Sequence, residues 1–307
     1  MKVSFVATVK DAGEHLGPFL DSLAAQTRPP DEVVIVDGGS TDGSLERLRA
    51  VPGIRVVAAP GANIARGRNL AVAEATHDVI AVSDADCVLE PTWLERLLAP
   101  IAEGAEISMG AYRPIATTLL QRAMAATNLP DPADLDEATF NPSARSVAFR
   151  RHALAAVGGW PEWLDVGEDM WVDLAWRERG AVMRLARDAV VAWPLRGSLG
   201  ATWTQYRRYA RGDAVGGMHG RRHAIRFATY AFLVAALATW WSPLLIGAAA
   251  GAALYAARPV RRAFARGGPA VIAVAALTPF LLLVTDLAKM VGYLSGLAAR
   301  PRGAHRP

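Results

Sequence analysis

The first 110 positions alternate short apolar runs with amphipathic stretches. VSFVATV (3–9), EVVIVD (32–37), IRVVAA (54–59) and DVIAVSD (78–84) are nearly continuous in Val, Ile and Ala, the pattern of strands covered on both faces. Between them, residues 14–26 carry Leu16, Phe19, Leu20 and Leu23 at helical spacing. STDGSLERLRA opens a second helix with Ser40 or Thr41 as N-cap, and 63–75 forms a third. The alternation predicts an α/β fold: a parallel sheet with helices on both faces and ligands beyond the carboxyl ends of its strands. Asp37, Asp84 and Asp86 stand at such ends. Residues 112–150 are less regular and read as a loop or lid with a helix near 117–126. ARSVAFRRHALAAVGGW (144–160) returns to strand then helix, and a further helix covers 169–179.

The pattern changes after residue 226. Residues 227–257 hold no charge over 31 positions, and 269–298 are apolar except for Asp286 and Lys289. As one helix the first block would be about 46 Å long, against a hydrocarbon core of about 30 Å. Trp240, Trp241 and Pro243 near its middle favour a tight hairpin of two short segments, or a re-entrant loop. Arg258, Arg261, Arg262 and Arg266 lie between the blocks, and Arg300, Arg302 and Arg306 follow the last. Keeping all of them on one side again favours blocks that return to the side they entered. Asp286 and Lys289, three apart, can pair.

Charge divides the same way. Residues 1–195 carry 18 Lys/Arg against 27 Asp/Glu, residues 196–226 carry 7 against 1, and 227–307 carry 8 against 1. A basic collar therefore joins an acidic head to an apolar tail. With apolar segments following at once, it fits a membrane surface better than nucleic acid. A single cysteine, Cys87, excludes an internal disulfide and suits a packing residue more than a nucleophile. The N-terminus reads as a strand and makes a poor signal peptide.

Several groups offer chemistry. Asp84 and Asp86, at i and i+2, project from one side of an extended chain, some 6–7 Å apart along it, and can grip a divalent cation or sugar hydroxyls. Their alternative is a helix N-cap before PTWLERLL. Asp37 precedes the Gly-rich turn GGSTDGS, which admits close approach by a base or phosphate or is an ordinary βα turn. Glu168 and Asp169 precede a helix, as dipole partners or as a general base. Gln205, Arg208 and Tyr209 share a helix face, where Arg suits a diphosphate and an aromatic suits a sugar; an interfacial basic helix is the alternative. Arg66, Arg68 and Asn69 of ARGRN can reach a nucleotide or form a solvated face. His219 and His223 are read as interfacial before metal-binding, and Trp160 and Trp163 as core or cover before an acceptor pocket.

Taken in order, VSFVATVKDAGEHLGPFLDSLAAQT, VDGGSTDGS, ARGRNLAVAEA, SDADC, GED and QYRRY resemble the family-2 inverting nucleotide-sugar glycosyltransferases of the GT-A fold. The resemblance covers about residues 1–212. It implies a Rossmann-like mixed, mostly parallel sheet, with the apolar segments as C-terminal transmembrane helices. It implies a donor site in which Asp37 contacts the nucleobase, Asp84 the ribose or the metal shell, and Arg66 and Asn69 the nucleotide. Asp86 would ligate Mg²⁺ or Mn²⁺. Asp169 would be the catalytic base with Glu168 beside it. Gln205, Arg208 and Tyr209 match the family's QxxRW element, with Tyr in place of Trp. The family's usual acid after Asp37 is Gly38 here.

The resulting expectation is a transferase domain at 1–212, a juxtamembrane collar at 213–226, membrane-embedded helices at 227–298 and a basic tail at 299–307. Its partners would be a nucleotide-sugar donor, a lipid-linked or glycan acceptor and the membrane, with no nucleic acid. The location would be a multi-pass inner membrane protein with its head in the cytoplasm. A processive polysaccharide synthase normally needs more spanning segments than this tail offers. A dinucleotide oxidoreductase fails because KDAGEHLG lacks G-x-G-x-x-G. A non-catalytic adaptor would be expected to lack Asp86, Asp169 or Arg208, and all are present.

Overall fold

A computed structural model describes residues 1–300; Arg302 and Arg306 of the expected basic tail lie outside the described residues. The first elements are β1 (Val3–Val9), α1 (Leu16–Ala24), β2 (Glu32–Asp37), α2 (Ser44–Arg49), β3 (Ile54–Ala58), α3 (Ile64–Glu74) and β4 (Val79–Val82). Then come β5 (Val88–Leu89), α4 (Trp93–Ala102), β6 (Ile107–Ile115), α5 (Leu119–Asn128), β7 (Val147–Arg150), α6 (Arg151–Ala156) and α7 (Glu168–Glu178). β8 (Met183–Pro194), α8 (Leu199–Val215), α9 (Gly220–Thr239), α10 (Ser242–Arg266) and α11 (Val271–Ala299) complete the chain. These elements form two compact units, residues 1–114 with 131–194, and residues 115–130 with 195 onward.

The first unit is built on an eight-stranded sheet of order β3-β2-β1-β4-β7-β6-β8-β5. The four apolar runs foreseen as strands form its parallel block, with β1 between β2 and β4. β7 turns antiparallel to β4, and β6 to β7, which makes the sheet mixed. Parallel pairing brings the ends of β2 and β4 to one edge of the sheet, where crossing helices leave a crevice. Val6, Val34, Ile80, Phe149 and Trp176 belong to the core beneath.

Three sequence expectations change. β6 and β8 are strands where the sequence suggested a loop or nothing regular, because Gly110, Pro114, Arg184, Arg187 and Asp188 interrupt the apolar pattern. Their pairing is tertiary: a Cβ at Gly110 would stand 1.8 Å from Ser146 Oγ, just before β7, and 2.8 Å from the Ala189 carbonyl of β8, so glycine lets β6 fit between its neighbours. The second helix starts at Ser44 behind Gly43, with φ 86°, and neither Ser40 nor Thr41 is its N-cap. Both residues instead donate backbone N–H groups to carboxylates, Ser40 to Asp37 at 3.0 Å and Thr41 to Asp11 at 2.7 Å. Finally, β4 ends at Val82 and the chain turns, Cys87 N donating to the Asp84 carbonyl at 3.0 Å. Asp84 and Asp86 therefore sit on a turn and not on an extended strand.

The second unit gathers α5 with the C-terminal helices. α5 begins with a capping box between Thr118 and Gln121. α9 and α10 are joined by Trp240 and Trp241 alone, so the uncharged block is a helical hairpin, as its tryptophans suggested. α10 and α11 are long and apolar enough, by length and composition, to cross a membrane. Asp286 does not pair with Lys289. Its carboxylate takes Arg226 Nε at 2.9 Å and the hydroxyls of Tyr230 and Tyr255 at 3.3 and 2.8 Å, while Lys289 Nζ lies over the Tyr206 ring. Three acceptor contacts from other helices outweigh one neighbour on its own helix.

Candidate active site

At the end of β2, Asp37 is fully buried. Its Oδ1 accepts the N–H groups of Gly39 and Ser40 at 2.9 and 3.0 Å, fixing the turn. Gly39 holds φ 95°, and a Cβ there would press on Pro60 Cα at 3.2 Å, so the turn requires glycine. Oδ2 of Asp37 is buried with no partner among the described residues. A buried carboxylate oxygen left without a donor is costly, and a ligand N–H in that place would relieve it.

Arg68, on α3, organises the centre. It is 2% exposed and ties two elements together: Nη2 donates to Asp84 Oδ1 at 2.7 Å and Nη1 to Glu168 Oε1 at 2.5 Å. The turn after β4 is thereby fastened to the first turn of α7. Asp84 also lies 3.8 Å from the guanidinium of Arg145, which stacks over Trp193. Asp86, two residues beyond Asp84, is half-buried. Asp169, half-buried beside Glu168, accepts Met170 N at 2.8 Å and Ala144 N at 3.4 Å.

Burial and the neighbouring Asp169 push the Glu168 carboxyl up to about 7, while Arg68 pulls it back down. One turn later Asp173, fully buried, is raised well above the usual carboxylate range by burial and by Asp169. Asp169 and Asp173 line a small cavity with Ser143, Trp160 and Trp176. Cys87 is buried and its thiol is raised far from ionisation, so it packs and does not attack.

The first unit thus brings Asp84 and Glu168 together through Arg68, with Asp86 and Asp169 as their chain neighbours. Arg66 is exposed on α3, where Asn63 caps the helix by accepting its N–H at 3.0 Å. Asn69 is spent on the 160–162 loop, bonding Trp160 N and O at 2.9 and 2.8 Å and Glu162 at 3.0 Å. Trp160 is core and Trp163 is exposed. In the second unit, Gln205 Nε2 donates to the Tyr209 hydroxyl at 2.8 Å on α8, and Arg208 is exposed on the same helix. His223 is buried, 2.9 Å from Asp213 and stacked on Tyr293, and so has a structural place. Arg145 and Asp173 escaped the sequence reading, and Arg68 was grouped with exposed neighbours. Asp173, four after Asp169 and so on the same helix face, was the one legible signal.

Among the described residues no group of three or more His, Cys, Asp or Glu forms a cage for a metal. The donor set still fits a hard cation shared with a substrate. Asp86 offers carboxylate oxygen, and Mg²⁺-type ions commonly take one or two carboxylates and complete their shell with phosphate and water.

Residues 4–152 match the family described as Glycosyl transferase family 2. The uncharacterized glycosyltransferase YibD of Escherichia coli (strain K12) is 33% identical over 108 residues, covering 33% of this chain and 31% of that protein. The O-antigen chain rhamnosyltransferase RfbN of Salmonella typhimurium is 25% identical over 207 residues, 62% of this chain and 66% of its own length. The match thus spans about a third of the first relative and just under two thirds of the second. Among solved structures, the mannosyltransferase PcManGT from Pyrobaculum calidifontis, in complex with GDP-Man and Mn²⁺, aligns with TM-score 0.56 at 20% identity over 97% of this chain and 86% of that one. S. aureus TarS 1–349 aligns with TM-score 0.52 at 17% identity, over 97% and 91%. Both likenesses are of fold.

Proposed function

With residues 4–152 a glycosyl transferase family 2 domain, we propose that the chain transfers a sugar from a nucleoside-diphosphate donor to an acceptor hydroxyl, with inversion at the anomeric carbon. The observation that supports this reading most is the buried Arg68 bridge, which ties the acid pair of the 84–87 turn to the acid pair opening α7. On the motif resemblance, Asp86 is assigned to the cation and diphosphate, and Asp169 to the acceptor.

In this mechanism the unpartnered Oδ2 of Asp37 accepts an N–H of the nucleobase. Asp84, held by Arg68 and facing Arg145, positions the ribose, and exposed Arg66 adds charge for the nucleotide. Asp86 would hold Mg²⁺ or Mn²⁺, which when bound supplies positive charge against the leaving diphosphate. Asp169 takes the proton of the acceptor hydroxyl as that hydroxyl's oxygen bonds to the anomeric carbon, and the carbon's bond to the diphosphate breaks on the opposite face with the electron pair leaving on the diphosphate. The buried ion pair of Glu168 and Arg68 keeps Asp169 at the open end of α7. On the motif resemblance alone, Arg208 is assigned to the departing diphosphate and Gln205 and Tyr209 to the acceptor. The apolar helices favour an acceptor presented at a membrane, a lipid-linked or glycan hydroxyl.

Release of nucleoside diphosphate, measured across UDP- and GDP-sugars with membranes as acceptor, tests the reading. At least one donor should be consumed by wild type, with Asp169→Asn and Asp86→Ala both losing most turnover. Wild-type turnover in both variants would reject the residue assignment, and no turnover with any donor would favour a non-catalytic membrane adaptor.

A further inference from the structure

We infer that the second unit attaches to an anionic bilayer from one side only, and that α11, the most apolar long helix of the chain, lies along the membrane surface and does not cross it. The argument begins with what α11 packs against. Along its length it buries Val274, Ala275 and Leu281 against α5, and Ala288, Gly292 and Gly296 towards α8. The contact with α8 is backbone-close: a Cβ at Gly292 would meet the Arg207 carbonyl at 2.1 Å, and one at Gly296 the Arg211 carbonyl at 2.4 Å. α8 is polar, with exposed Arg207, Arg208 and Arg211. A spanning α11 would draw these guanidinium groups into hydrocarbon, where charged side chains are strongly disfavoured.

The opposite face of α11 is a stripe of Phe280, Leu283, Leu287, Val291, Leu294 and Leu297, each 40–55% exposed. Such a stripe beside a tightly packed face suits an in-plane helix with its apolar side in lipid. The α9–α10 hairpin has a matching depth. Tyr230 and Tyr255 meet at Asp286, so they lie at one level, and Arg226 completes that lock. From this level to Trp240 and Trp241 each arm runs about 15–20 Å, short of the roughly 30 Å core. The arms beyond the lock are apolar and open, with Val234 64%, Ile246 69% and Trp240 79% exposed.

Charge names the occupant. On the other side of the lock, Arg221, Arg222, Arg258 and Arg261 are exposed. Arginines ringing an apolar hairpin complement the phosphates of anionic lipid, and a second copy of the same basic surface would be repelled. The inference rests on the apolar helices and not on the transfer reading, and its test needs no turnover.

The full chain is produced in cells, and its membranes are prepared as sealed right-side-out and inverted vesicles. Cys87 is buried, so Ala265→Cys before α11, Ala299→Cys at its last residue and Ser242→Cys at the hairpin turn each add one accessible thiol. With an impermeant maleimide, the cysteines at 265 and 299 should react in the same vesicle orientation, and the one at 242 in neither until detergent is added. Reaction of 265 and 299 from opposite sides, or of 242 from the far side, would overturn the inference. Wild-type chain is then sedimented with vesicles of phosphatidylcholine alone or mixed with phosphatidylglycerol. Binding should require phosphatidylglycerol and weaken roughly tenfold or more in Arg221→Gln/Arg258→Gln. A chain that ignores both vesicles and elutes as a dimer would show that a second copy covers the apolar face, and the inference would fail.

Discussion

Each unit sets an arginine against buried acid, and the two do opposite things. Arg68 spends its guanidinium on Asp84 and Glu168, each of which has an acidic neighbour, Asp86 and Asp169, left half-buried. Arg226 contacts Asp286 and His223, and Asp286 also accepts two tyrosine hydroxyls. The first bridge joins α3 to the turn after β4 and to the first turn of α7, with a further acid close in sequence to each partner. The second joins three helices and leaves no acid over. A buried ion pair is thus weak evidence of a site by itself; what stands next to it decides.

The comparison can be broken at several points. If Asp169 is the base proposed above, Asp169→Asn should lower turnover by roughly 10²–10⁴ while the circular dichroism spectrum stays native. Arg68→Met should cost about 3–5 kcal/mol in thermal or denaturant unfolding, since it strands two buried or half-buried carboxylates. Arg68→Lys should recover part of this, as charge remains but the fork that reaches both acids is lost. Arg226→Met should cost less, ~2 kcal/mol, because tyrosine hydroxyls still bond Asp286. Combined with Asp286→Leu it should return close to wild-type stability, whereas no partner change should restore activity to Arg68→Met.

The smallest effect is in pH. Glu168 has its folded value raised to about 7, above its unfolded value near 4.5, so folding favours the protonated form. Stability from this group is full below about 4.5 and is lost as pH rises through about 7. Melting temperature followed across that window should fall less steeply in Glu168→Gln than in wild type. An equal slope would mean that Glu168 does not titrate across this window.

The parallel block and the hairpin with its tryptophan turn were legible because period, composition and turn residues are local properties. Spacing and motif order singled out Asp37, Asp84, Asp86 and Asp169, but the turn that carries Asp84 and Asp86 was not legible, because β4 ends at Val82. The antiparallel strands were not legible: Gly110 and the charges of β8 look unfavourable until Ser146 and Ala189 stand beside them. Nor could the sequence say which arginine of ARGRN turns inward. Arg66 and Arg68 differ by two positions, about 200° around a helix, and only the packing of α3 on the sheet decides which is buried. The same holds for the tail. Sequence hydropathy makes α11 the best candidate span, whereas its glycine-mediated contact with a polar helix, visible only in the tertiary structure, is what supports the in-plane placement inferred above. Local free energy sets which elements form; the desolvation of charges, which depends on neighbours distant in sequence, sets what each element is for.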